Sequence, residues 1–166
     1  EETLAIRERL VGKDHPKVAF PVLGLGDLAL EDGHLDDAER LYQRALVIRE
    51  KSLGGEHSRL SFPLAGLAAV ALARDRPQDA APLAERALRL REKATRHAND
   101  LADDRFLLAR ALVHDPAQAE RAHSLAAQAR EGFAAAGPVK AKETAEVNTW
   151  MAKHPTPPPA GTPGPP

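Results

Sequence analysis

Cysteine is absent from all 166 residues, so disulfides and thiolate zinc sites are excluded, and a cytoplasmic location is expected. Aromatic side chains are scarce, with one Trp, one Tyr and four Phe. Val, Ile and Thr are too sparse and scattered to build strands. No charge of one sign dominates. The formal net charge of -1 argues against a nucleic-acid partner, which calls for a basic excess. The longest strongly apolar stretch, residues 64–73, is too short to span a bilayer as a helix, so no membrane association is expected. No signal peptide is visible. Glu1 already reads as helix interior, and the chain is expected to be a piece of something longer. What remains is rich in alanine and long enough for one domain with a real core, which points to packed helices with small residues at their contacts.

One stretch is written twice. IRERLVGKDHPKVAFP (residues 6–21) returns as IREKSLGGEHSRLSFP (residues 48–63). Either a metal or catalytic site is duplicated around His15 and His57, or these are joints of a repeating scaffold. A shift of 42 residues extends the match. Leu4, Arg7, Glu8, Gly12 and Leu25 fall on Leu46, Arg49, Glu50, Gly54 and Leu67, and Ala38, Leu41, Arg44 and Ala45 fall on Ala80, Leu83, Arg86 and Ala87. A degenerate third copy follows at a shift of 39, where Pro77, Ala80, Ala87, Arg91 and Glu92 find Pro116, Ala119, Ala126, Arg130 and Glu131.

Each unit reads as two helices. Ala38, Leu41, Tyr42, Ala45 and Leu46 recur at the spacing of one helical face. Asp36, Asp37 and Glu39 suit the positive end of that helix, Arg49 and Lys51 its negative end, and Gly54-Gly55 can stop it. The helix before it carries Val22, Leu25, Ala29 and Leu30 and ends at Gly33. Asp115-Pro116 reads as an N-cap with a first-turn proline, and Pro77 plays the same part.

Leu25, Gly26, Ala29, Gly33, Ala38, Tyr42 and Ala45 resemble the tetratricopeptide repeat pattern, in which small residues let helices A and B approach and larger ones fill between them. The period of 42 is similar to the longer kinesin-light-chain type. The resemblance covers residues 1–135. It implies an all-α fold, a right-handed α-solenoid of antiparallel helix pairs, the first pair incomplete. Departures are Ala68, Asp75 and Ala84 in the second copy and Arg110 and His123 in the third. VAFPVLGLG and SFPLAGLAA also resemble helix-A segments of repeat arrays appended to bacterial serine/threonine protein kinases, and AEVNTWMAKH resembles the way such chains end. No kinase motif occurs in this chain.

Residues 139–153 read as a capping helix with Val147, Trp150 and Met151 as its apolar stripe, closing a solenoid within residues 1–153. Seven prolines among residues 154–166 predict a disordered tail of polyproline-II character. Pro155 to Pro158 formally makes a PxxP motif, better read as linker or tail.

The sharper readings of single features yield to plainer ones. His15 and His57 lack the clustered partners a zinc site needs, so a role in the turn is expected and no metal or cofactor is assigned. His114 and His123 are isolated. Gly24-Leu25-Gly26 lacks the strand of a phosphate loop and reads as helix packing. Arg86, Arg89, Arg91, Lys93 and Arg96 alternate with Glu85 and Glu92, as on a solvated helix face. Trp150 reads as a core anchor. Pro21 and Pro63, expected inside helices that start near Pro16 and Ser58, imply a late helix start or a kink, because an interior proline costs ~3 kcal/mol.

No nucleophile–base or metal constellation is present, so this stretch is not read as an enzyme. The expected function is a scaffold that binds a segment of a protein partner on a concave face lined by helices A. The alternative is the regulatory or docking part of a kinase whose catalytic domain lies upstream. The resemblance places Phe20, Leu23, Asp27, Leu30, Glu31, Phe62, Ala65, Ala69 and Leu72 on that face. Kinesin-type grooves present asparagines to a peptide backbone, where this chain has Leu23 and Gly24. Phe20 and Phe62 are either exposed anchors for a partner or core residues packed on the preceding helix B.

Overall fold

The structure, a computed structural model, describes residues 2–95 and 97–155. The tail from residue 156, most of the Pro155–Pro158 motif and Arg96 lie outside the described residues. Every regular element described is helical: α1 (Glu2–Val11), α2 (Ala19–Glu31), α3 (Leu35–Leu53), α4 (Ser61–Ala73), α5 (Pro77–Glu92), α6 (Ala98–Leu112), α7 (Ala119–Ala135) and α8 (Ala141–Lys153). Short 3₁₀ turns, Pro16–Val18, Ser58–Leu60, Pro116–Gln118 and Gly137–Lys140, precede α2, α4, α7 and α8.

Helices α2 and α3, α4 and α5, and α6 and α7 pack as A–B pairs, and each B helix packs on the next A helix. The A helices α2, α4 and α6 also touch in sequence. The core is therefore a chain of neighbour interfaces, as in a solenoid. Val22, Ala38, Tyr42, Ala45 and Ile48 centre the first, and Ala84, Leu108, Ala126 and Phe133 lie in the largest. Helix α8 takes the place of a fourth A helix against α7. Its Val147 is fully buried, while Trp150 is only partly buried and sets its ring edge-on to Phe106 with centroids 5.8 Å apart. The last helix begins two residues later than the expected 139, because Gly137–Lys140 form the 3₁₀ turn that leads into it.

The repeated stretch acts as a joint. Gly12 and Gly54 follow the B helices at φ +89° and +82°, a region open to glycine at little cost. His15 and His57 each turn Nδ1 back to accept the backbone N–H two residues on, at 3.2 and 3.1 Å, capping the 3₁₀ turns. Arg44 ties α3 to Glu8 of α1 at 2.6 Å and to the Lys13 carbonyl at 2.7 Å. One period later Arg86 does the same with Glu50 at 2.9 Å and the Gly55 carbonyl at 3.0 Å.

The two prolines resolve in favour of a late start. Pro21 and Pro63 are the third residues of α2 and α4, inside the first turn, where backbone N–H groups have no intrahelical partner. A proline there still leaves the carbonyl four residues back without its donor. Arg7 fills that role by donating to the Lys17 carbonyl at 3.0 Å, and Arg49 donates to the Arg59 carbonyl. In the third copy Arg105 stands where the proline would be, and α6 starts more than a turn earlier relative to it. With no carbonyl left over, Arg91 bonds the Asp104 carboxylate instead, Nε to Oδ2 at 3.0 Å.

Tyr42 explains the second-copy departures. Its ring lies between Gly26 of α2 and Gly66 of α4, where added Cβ atoms would meet it at 2.9 and 2.5 Å. Its hydroxyl donates to Asp27 at 2.8 Å. Burial, with the Asp27 carboxylate accepting that bond, raises the Tyr42 phenol above its ordinary value. Where the next B helix carries Ala84, the positions matching Gly26 and Gly66 are filled by Ala68 and Leu108, both buried.

Candidate functional site

The A helices leave one face of the stack open, and their repeat-equivalent aromatic positions decide what it shows. Phe20, the second residue of α2, is 75% exposed, and Phe62, the second residue of α4, is 47% exposed. Neither ring belongs to the buried core: Phe20 is open, and Phe62 is half-covered, in part by Arg49 of the preceding helix B. Phe62 is held by cations: the Arg91 guanidinium lies 4.2 Å from its ring centre and that of Arg49 lies 5.5 Å away. Such contacts are worth ~0.5–1 kcal/mol at exposed sites. Burial, with Arg59 nearby, lowers the Arg49 guanidinium below its ordinary value.

Two grooves meet at Phe62. The first, of 610 Å³, runs between the two phenylalanines over Leu23 and Gly24 of α2 and reaches Arg49 and Leu53 of α3. The second, of 370 Å³, lies between α4, α6 and α8. Phe20 and Leu23 line the first, Leu30, Ala65 and Ala69 line the second, and Asp27 and Phe62 belong to both. Leu23 is largely buried and forms floor rather than wall. Glu31 and Leu72, expected on the same face, line neither groove. Leu72 packs against the core instead.

The residues missing from the sequence reading are ionisable ones in the second groove. Asp104 is 3% exposed beneath Arg91. Burial raises its carboxyl above the usual range, and Arg91 opposes that shift without cancelling it. Asp103, Glu143 and Glu146 share the groove. Lys140 bonds Glu143 at 2.9 Å and lies 3.6 Å from Asp103; the Glu143 bond first, with Asp103 nearby, raises its ammonium, and the same bond holds Glu143 down. A second 42-residue step from Phe62 lands on Asp104, a signal that the 39-residue alignment of the third copy conceals.

Other candidates find structural employment. Arg86, Arg91 and Lys93 of the basic string pair with Glu50, Asp104 and Glu56, and Arg89 lies 3.5 Å from Glu56. His123 is buried beside Trp150, centroids 5.8 Å apart, and its Nδ1 finds no partner among the described residues. Among the described residues no three metal-ligating side chains converge. No helix there is long and apolar enough to cross a membrane.

The model of one protein family, the tetratricopeptide repeat, matches residues 1–51 and 20–93, which together span more than half of the sequence. A search of curated proteins found no match.

Proposed function

The chain belongs to the tetratricopeptide repeat family, whose repeats mediate protein–protein interaction, and on that premise we propose that its open A-helix face binds a segment of a protein partner. The observation that carries this is the exposed phenylalanine pair. Fully burying a Phe side chain is worth about 1.5–3 kcal/mol, and the fold forgoes much of that at both repeat-equivalent positions. Aromatics in such positions supply binding hot spots of ≥2 kcal/mol when a partner buries them, roughly the threshold for a hot spot. The 42-residue spacing, reproduced by the Arg44–Glu8 and Arg86–Glu50 pairs, supports the kinesin-light-chain kind of repeat.

A Phe20→Ser, Phe62→Ser double variant tests the reading. Its stability should fall by roughly 1–2 kcal/mol, mostly from the lost cation–π contacts, against the roughly 3–5 kcal/mol per ring expected of core phenylalanines. A photo-crosslinking residue at Phe20 should capture a partner from cells, and one at Gln43 on α3 should not. Equal capture at both positions, or collapse of the double variant on mild heating, would remove the basis for the proposal.

A further inference from the structure

The two grooves differ in charge, and we infer that the face takes an extended peptide with an apolar side chain between Phe20 and Phe62 and a lysine or arginine over the second groove. This rests on the partner-binding reading above and names the chemistry of the segment.

The first groove offers aromatic and aliphatic walls, and its one carboxylate, the Asp27 it shares with the second, is outnumbered by Arg49 and Arg59, a poor seat for a cation. The second has five carboxylates: Asp27, Asp103, Asp104, Glu143 and Glu146. Against them stand Arg91, already bonded to Asp104, Arg110 at the rim, and Lys140 shared by Asp103 and Glu143. Asp27, Asp103 and Glu146 remain exposed, so a negative potential faces the groove. A concave wall of one sign focuses field on a complementary charge. Phosphate-bearing ligands are repelled there. Residues 155–166 of the chain have no ionisable side chain, so its own tail would leave these carboxylates without a counter-charge.

Spacing follows from the helices. The first groove straddles α2 and α4 and the second extends to α6, one A helix further on, and packed helices lie roughly 10 Å apart. An extended chain covers that distance in about three residues. The recognition pattern is therefore apolar-x-x-basic, or its reverse, with the tolerance of one residue that a long basic side chain allows.

The test uses the full chain as bait for a random twelve-residue peptide library on phage. Enriched sequences are then remade with a fluorescent label and titrated by anisotropy. Enrichment of an apolar residue two to four positions from Lys or Arg supports the inference. Changing that basic residue to Glu should weaken binding about threefold to tenfold at low salt. The Glu146→Lys variant should narrow or reverse that preference. Glu146 is exposed and makes no ion pair among the described residues, so the fold tolerates the change. Acidic or uncharged winners, proline-rich ones resembling the tail included, overturn the charge assignment, as does no enrichment over bait-free panning. If such peptides still lose affinity in Phe62→Ser, the partner-binding face stands and only its charge reading fails. If peptides bind and neither phenylalanine variant changes their affinity, both readings fall.

Discussion

Gly66→Ala tests the packing logic most directly. The new methyl would sit 2.5–2.6 Å from three carbons of the Tyr42 ring. Ordinary contact begins near 3.4 Å, so the ring must retreat by nearly an ångström. It cannot do so freely, because Gly26 closes the other side and Asp27 holds the hydroxyl at 2.8 Å. Overpacking of this kind costs ~1–3 kcal/mol. Losing the bond to the Asp27 carboxylate adds about 1.5 kcal/mol or more. Replacing a helical glycine returns ~1 kcal/mol of propensity. The net loss should be roughly 1.5–3.5 kcal/mol, read from urea unfolding followed by far-UV circular dichroism. The same change in a Tyr42→Ala background, with a fixed osmolyte concentration keeping both backgrounds folded, should be neutral or stabilising by up to about 1 kcal/mol. The second repeat already pairs Ala84 with bulk at the matching positions. An equal effect of Gly66→Ala in both backgrounds would show that Tyr42 does not set the helix spacing.

Three further outcomes are expected. Arg49→Leu should cost about 1.5–3 kcal/mol by orphaning the Arg59 carbonyl, and less in a Pro63→Ala background, where the restored N–H can serve that carbonyl; additive losses in the cycle would refute the capping role. Asp75 sits at φ +56° where the first repeat has Gly33, so Asp75→Gly should stabilise by up to ~1 kcal/mol, and a lowered urea midpoint would contradict this. Asp104 has its folded pKa raised above the unfolded value, so the native state holds its proton longer and the unfavourable contribution builds up as pH rises past the unfolded value and is complete beyond the folded one. Wild type should therefore lose stability relative to Asp104→Asn as pH climbs from below ~3.9 to beyond the raised value, in paired urea titrations; a gain would mean that Arg91 outweighs burial.

The 42-residue recurrence, the alternation of small and large residues and the helix-end chemistry were legible because each is local. A helical face, a cap or a stop depends on residues within a few turns of one another, and a repeat copies that code along the chain. Thus the A–B pairs, the Gly54 stop and the joint role of His15 and His57 follow from the sequence alone. Whether Pro21 and Pro63 kink a helix or open it did not follow. The answer depends on Arg7 and Arg49, which reach the vacated carbonyls from the preceding helix, and a side chain's reach across a helix pair leaves no periodic trace. The exposure of Phe20 and Phe62 was likewise open, because an aromatic at a helix start serves a core or a surface equally well. The acidic groove is a tertiary product throughout. Asp27, Asp103 and Glu146 come from α2, α6 and α8, and only stacking brings them to one wall. Charge adds up through space, and the order of residues along the chain does not encode that sum.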